Sequence, residues 1–307
     1  MKKLLNTAAT GLVMAASLAF AGPAIAQDAA AAEPQAEAAA QKATPALWRV
    51  SDDDTTIYLF GTVHLLPEGI DWESGVIGDA MGASDELVTE LGEIDEAALG
   101  ATMGQRGVFT DGTTLRSLLD DDQRARYEAV VTGLGAPVEA FDQVEPWMVA
   151  VTLSMLPLMK EGWNPEEGGE AKIDAIFDAR EIDAEGLETV EEQIDFFDTL
   201  PQDVQVEYLM SIIDDFDEVG TVMTDILGEW REGDVDAIAA LIKQSFGDPV
   251  LYKRLLIDRN ERWSVWIDDR MDEPGTVFIA VGAGHLAGQD SVQDFLQKRG
   301  ISVTRVQ

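Results

Sequence analysis

Short apolar stretches lie at both ends of the chain, and a helical repeat of apolar positions runs through its middle. Leu47-Trp48-Arg49-Val50 and Thr56-Ile57-Tyr58-Leu59-Phe60 read as two strands about an acidic turn, Asp52-Asp53-Asp54. The second runs straight into Gly61-Thr62-Val63-His64. A helix is predicted over 72–83, then a strand over 86–91 that carries Glu90 near its end. Helical spacing covers 115–119, 121–134, 145–160 and 172–180, with Asp120 as an N-cap and Gly133 and Gly135 as stop signals. Pro157 is expected to end or kink its helix. A short strand is predicted over 182–187, followed by helices over 191–200, 203–227, 235–244 and 250–269. Thr276-Val277-Phe278-Ile279-Ala280-Val281 reads as a buried strand that ends in Gly282-Ala283-Gly284-His285, and a helix over 291–299 and a strand over 302–306 close the chain. The fold class is therefore α/β, a mixed sheet formed by N- and C-terminal strands with a large helical insertion over roughly 97–270.

The first 26 residues have the layout of a signal peptide. Lys2 and Lys3 precede an apolar stretch, and Ala24-Ile25-Ala26 is a cleavage signal before Gln27. An uncleaved anchor is the alternative, but the apolar run is short for a span of about 20 residues. No cysteine follows, so a lipid-modified terminus is excluded. Residues 27–44 are alanine-rich without apolar periodicity and read as a disordered linker, with a short free helix as the other option. The domain proper is then 45–307, periplasmic or secreted, with no stable membrane insertion after cleavage.

Composition narrows the chemistry. The chain has 307 residues with 58 acidic and 21 basic side chains, a formal charge of −37. That charge opposes binding to nucleic acid, which calls for clustered Lys and Arg. With no cysteine, disulfides, thiolate metal sites and a cysteine nucleophile are excluded. With two histidines, a three-histidine site within one chain is excluded too.

Both histidines sit in one frame, an apolar strand followed by Gly-x-x-His: Gly61 to His64 and Gly282 to His285. Ligands of open α/β sheets bind beyond the carboxyl ends of the strands. Two imidazoles delivered there can converge on a metal or serve as acid and base. A two-histidine metal site needs oxygen ligands as well, for which Glu90 is the leading candidate and Glu93 and Asp95 are rivals. The chain has neither H-E-x-x-H nor G-x-S-x-G, so an ordinary zincin and a serine elbow are disfavoured.

These residues resemble a known family. Leu47-Trp48-Arg49-Val50, Tyr58 through Pro67, Val88-Thr89-Glu90, Gly186 through Gln193, Arg259-Asn260 with Trp263, and Val281 through Gly288 are similar, in order, to the signatures of the TraB/GumN family. Its wider relations include Tiki-type metalloproteases. The resemblance implies a fold like the erythromycin-esterase/ChaN group. It also implies a divalent-metal site (Mn, Co or Zn) of His64, Glu90 and His285. Glu90 would be a ligand or the general base, and Arg259 would stabilise an oxyanion. Gln193 and Asn260, with Gly61, Gly282 and Gly284, would lie around the substrate or behind the ligands, and Glu188 would order its turn. The function implied is a metal-dependent, peptidase-like hydrolase of a peptide or small-molecule substrate. The alternative is a non-catalytic periplasmic metal- or haem-binding or assembly protein, haem requiring an axial histidine or tyrosine and an apolar slot.

Overall fold

The computed structural model describes residues 41–245 and 249–307. The signal peptide and most of the linker expected over 27–44 lie outside the described residues. Eight strands appear among the described residues: β1 Gln41–Lys42, β2 Leu47–Ser51, β3 Thr55–Thr62, β4 Ile70–Asp71, β5 Glu86–Thr89, β6 Ala184–Gly186, β7 Gly275–Gly282 and β8 Val303–Arg305. Six of them form one sheet in the order β6-β5-β7-β3-β2-β8. The pairs β6–β5, β5–β7 and β7–β3 are parallel, and β2 runs antiparallel to both β3 and β8. The mixed sheet expected from the terminal strands is therefore present. Its far edge, β6, comes from within the segment read as the helical insertion. Gln41–Lys42, at the end of the expected linker, pair in parallel with Ile70–Asp71.

The sheet is covered on both faces, and its sequence reflects that. A strand buried on both sides reads as a continuous apolar run, because side chains alternate between two dry layers. In β7, Val277, Ile279 and Val281 point to a layer with Ile57, Leu59, Trp263 and Ile267. Phe278 and Ala280 point to the opposite layer with Phe60, Trp72, Phe177 and Trp230. A third cluster, built around Tyr127, Trp147, Phe197 and Tyr208, belongs to the helices.

Several helices depart from the pattern. Glu96–Arg106 is helical, capped by Asp95 through the backbone N–H groups of Ala97 and Ala98, although its sequence shows no broad apolar stripe. The helix expected over 72–83 starts at Val76. The helix expected over 203–227 is broken at Asp215 into Gln202–Asp214 and Val219–Glu232, joined by a tight turn at Phe216–Glu218. Pro157 does not end its helix, which runs over Pro146–Lys160. It lies within the last turn, where its missing N–H removes a single bond. The helix expected over 250–269 opens into a π-helical turn at Lys253–Ile257 before continuing over Asp258–Arg270.

Phe278 is fully buried between Phe60 and Phe177, with ring centroids 5.9 and 6.1 Å away. Phe278→Ala should lower unfolding stability by about 3–5 kcal/mol, seen as a fall in the urea midpoint with unchanged slope.

Candidate functional site

The parallel arrangement sends four strand ends to one edge of the sheet. Glu90 directly follows β5, Glu188 lies two residues beyond β6, and His64 lies two beyond β3. His285 sits in a tight turn, Ala283–Leu286, just after β7. Side chains from segments nearly 200 residues apart thus meet because their strands are neighbours.

Arg259 joins them. The buried face of Asp258–Arg270 carries Arg259, Trp263 and Ile267, four residues apart, which places Arg259 against the strand ends. Its guanidinium is 1% exposed and uses all five of its N–H donors inside the protein. Nε donates to Glu188 Oε1 and Oε2 at 3.0 Å. Nη2 donates to Glu90 Oε2 at 2.5 Å and to Glu188 Oε2 at 2.8 Å. Nη1 donates to the Leu255 carbonyl of the π-helical turn at 3.2 Å and meets His285 Nε2 at 3.1 Å. The rings of Trp263 and Phe196 flank it, with centroids 4.7 and 5.1 Å from Cζ. Burial works against its charge, but Glu90 and Glu188 outweigh that and raise its pKa. The oxyanion role expected of Arg259 has no donor left to perform it.

These contacts assign the state of His285. A guanidinium only donates, so His285 Nε2 accepts and the ring proton lies on Nδ1. Nδ1 then donates to Asn260 Oδ1 at 2.6 Å, and Asn260 Nδ2 donates onward to the Asp290 carbonyl at 2.8 Å. Burial, then the charge of Arg259, then that of His64, hold the pKa of His285 well below the ordinary imidazole value. It is a neutral ring with both nitrogens engaged.

Glu90 is held as firmly. Oε1 accepts the Gly282 N–H at 2.8 Å, and Oε2 accepts from Arg259 and, at 3.2 Å, from Gln193 Nε2. Gln193 also donates to Glu188 Oε2 at 3.2 Å, so it bridges the two carboxylates. Thr189 caps the helix that carries Gln193 through a reciprocal bond pair with Glu192, which accounts for the run from Glu188 to Gln193. Glu188 also accepts from Arg262 and from Trp263 Nε1. The rivals Glu93 and Asp95 are exposed.

His64 differs from His285. Its Nδ1 lies 2.8 Å from Glu170 Oε1, an oblique approach that is an ion-pair contact more than an aligned hydrogen bond. Its Nε2 is buried and has no partner. Burial works against a charge on this ring too, but the charge and contact of Glu170, followed by the charge of Glu90, raise its pKa above the ordinary value. The point where Gly282 would carry a Cβ lies 3.7 Å from His64 Nε2, 3.7 Å from His285 Cδ2 and 3.3 Å from Glu90 Oε1. The two histidines and Glu90 therefore converge on one cradle, floored by Gly282. Gly61 and Gly284 do not line it. A Cβ on Gly61 would lie 2.9 Å from Ala283 Cα, and one on Gly284 would lie 2.9 Å from Ile242, so both are close-packing positions.

Sequence reasoning missed Glu170. It sits in the first turn of the helix Gly169–Asp178, behind Gly168 and Gly169. The pair of glycines before an acid at a helix start was its one visible signal. Asp174, one turn later, is pushed up to about 7 by burial and by the charges of Glu170 and Asp178.

Two outcomes follow for stability. Arg259→Met leaves Glu90 buried without its cation and Glu188 with Arg262 alone, and should cost about 3–5 kcal/mol by denaturant unfolding, part of it recovered in Arg259→Met/Glu90→Gln/Glu188→Gln. The second concerns pH. The pKa of Glu170 is lowered from 4.5, because His64 and Thr62 outweigh its burial, so its stabilisation is present above that value and is lost as pH falls through the lower folded value. The pKa of His64 is raised from 6.5, so its share is complete below that value and is lost as pH rises through the higher folded one. The stability difference between wild type and Glu170→Gln should therefore be greatest between 4.5 and 6.5 in a series of melts against pH.

An uncharacterized protein of Treponema pallidum (strain Nichols) is 20% identical over 269 residues, which cover 82% of this chain and 80% of that protein. No solved structure matches the chain significantly. The family model for TraB/PrgY/gumN matches residues 46–305, from the first strand of the main sheet to the last. Every side chain that meets at the cradle falls within that match, and the chain belongs to the TraB/PrgY/gumN family.

Proposed function

We propose that the cradle is the reaction centre of a hydrolase of acyl bonds, in a peptide or a small molecule, with His64 as its general base. The observation that carries this reading is the unpartnered Nε2 of His64, buried beside Glu90 and Gly282 while Glu170 backs the other ring nitrogen. Nε2 takes a proton from water as the water oxygen bonds to the substrate carbonyl. Glu170 and Glu90 stabilise the imidazolium that forms. The same proton passes to the leaving group as the acyl bond breaks. A base of this kind contributes about 10²–10⁴-fold.

The divalent ion implied by the sequence resemblance is tested by the donor set. His64 Nε2 and Glu90 Oε1 are suited to Mn²⁺, Co²⁺ or Zn²⁺, but His285 has no nitrogen to give while Arg259 and Asn260 hold both. Among the described residues no group of three or more His, Asp and Glu side chains is gathered to hold an ion. The residues as arranged do not fit the three-ligand site, and no step is routed through a metal. They fit haem no better, since His64 Nε2 faces a carboxylate and His285 is fully buried. We place the protein outside the cytoplasm, as periplasmic or secreted, on the strength of Lys2, Lys3, the apolar run and Ala24-Ile25-Ala26. No helix among the described residues is long and apolar enough to cross a membrane.

A panel of peptide and ester substrates, assayed with wild type, His64→Ala and Gly282→Ala, tests the reading. His64→Ala should lose at least about 100-fold in kcat. Gly282→Ala should fold and lose turnover, because its methyl would occupy the cradle. Activity should survive chelation. Turnover by His64→Ala at the wild-type rate would overturn the assignment. Loss of activity on chelation, restored by Mn²⁺, Co²⁺ or Zn²⁺ and absent in His285→Ala, would return His285 to the role of ligand.

A further inference from the structure

Glu170 belongs to the machinery of the site, although no motif points to it. The helix that carries it begins at Gly169, whose N–H donates to the Val63 carbonyl at 2.9 Å. A Cβ on Gly168 would collide with the His64 carbonyl, and one on Gly169 would lie 3.0 Å from Thr62. The two glycines therefore let the helix start press directly on the segment Thr62-Val63-His64. That brings the Glu170 carboxylate under the His64 ring, where Thr62 Oγ1 donates to the same oxygen, Oε1, that meets Nδ1. A carboxylate in the first turn also sits at the favourable end of the helix dipole.

The contact calls for a proton on Nδ1 whether the ring is neutral or charged. Nitrogen and carboxylate oxygen at 2.8 Å with no proton between them would set two lone pairs face to face. Thr62 already donates to Oε1, so this oxygen is an acceptor. Neither ring nitrogen makes an aligned hydrogen bond, but Nδ1 alone has a carboxylate oxygen against it, so the proton of the neutral ring belongs on Nδ1 and the lone pair on Nε2. We propose that Glu170 is the positioning residue of this site, locking His64 in the Nδ1–H tautomer so that the Nε2 lone pair faces the cradle beside Gly282. The inference rests on the reading of His64 as the base, and it assigns the group that keeps this base in its working form. Both histidines then share one tautomer by different means. Arg259 and Asn260 consume both nitrogens of His285, whereas Glu170 engages one nitrogen of His64 and leaves the other open.

With two histidines in the chain, imidazole nitrogens can be read one by one. Long-range ¹H–¹⁵N correlation spectra, taken as pH is raised until the ¹⁵N shifts stop changing and both rings are neutral, report the neutral tautomers directly, and His64→Ala assigns the two patterns. Wild type should show Nδ1–H for both rings. Glu170→Leu, which keeps bulk but removes the acceptor, should move His64 to a mixture rich in Nε2–H and leave His285 unchanged. Glu170→Ala is the second variant, and an unmoved His285 pattern certifies the fold of either. In turnover, Glu170→Leu should lower kcat at least about 10-fold with little change in KM, since it removes support for the base and not substrate contact. An Nε2–H tautomer for His64 in wild type, or a His64 tautomer unmoved in a folded Glu170 variant, would overturn the proposal. The spectra do not depend on turnover. If Glu170→Leu moves the tautomer while His64→Ala keeps the wild-type rate, the positioning contact stands and the hydrolase reading fails.

Discussion

The burial of one guanidinium sets the arrangement of the whole strand edge. Arg259 is 1% exposed, and a charged group out of water is tolerated only where its donors and its charge are answered. Five donors need five directions of acceptor, and no single element can supply them. Glu90 from the end of β5, Glu188 from beyond β6, the Leu255 carbonyl of the π-helical turn and His285 from beyond β7 together do. The π-helical turn has a local rationale here. It comes just before Arg259 and leaves a carbonyl within reach of Nη1, and such turns recur where a helix must present a functional side chain. Shifting any one of these elements would strand a buried charge.

The two Gly-x-x-His frames look alike in sequence and end in opposite chemical states. His285 is enclosed, neutral and fully bonded, with its ring 4.3 Å from that of Trp263. Its pKa is well below the ordinary value, while that of His64 is above it. Burial disfavours the charged form of both rings. What separates them is the sign of the nearest charge, a guanidinium for His285 and two carboxylates for His64. A pair of like motifs therefore places one ring beside a guanidinium and the other beside carboxylates.

The strand ends were legible because two-sided burial writes apolar runs that are hard to mistake, as in Ile57 to Phe60 and Val277 to Val281. The convergence of His64, Glu90 and His285 followed from the rule that parallel strands carry their loops to one edge. What stayed hidden depends on distances between segments far apart in the chain. Nothing local to Arg259 says that all its donors are used, so an oxyanion role looked open. Glu170 was one acid among 58. The helix Glu96–Arg106 escaped because, among its described side chains, Leu99 and Met103, one turn apart, are the buried ones, too narrow a stripe to register as a period. The break at Asp215 escaped for the opposite reason, since apolar spacing continues on both sides of it.

The imbalance of charge explains why so few carboxylates are candidates for chemistry at all. With 58 acids against 21 bases, most carboxylates have no cation to pair with and must stay in water. A buried carboxylate has to be given a positive partner from a scarce supply, and the fold concentrates that supply. Arg259 answers Glu90 and Glu188 together, with Arg262 closing on Glu188 from the half-exposed side. Glu170 meets Thr62 and His64 instead, and the latter is a ring that can carry or release a proton. A carboxylate paired with arginine faces a cation that does not titrate in the physiological range. A histidine beside a carboxylate can carry or release its proton, and of the two such contacts at the strand ends the His64–Glu170 one, at 2.8 Å, is shorter than the 3.8 Å between His285 and Glu90. In a chain this acidic, the carboxylate without an arginine is the one set against a ring that can titrate.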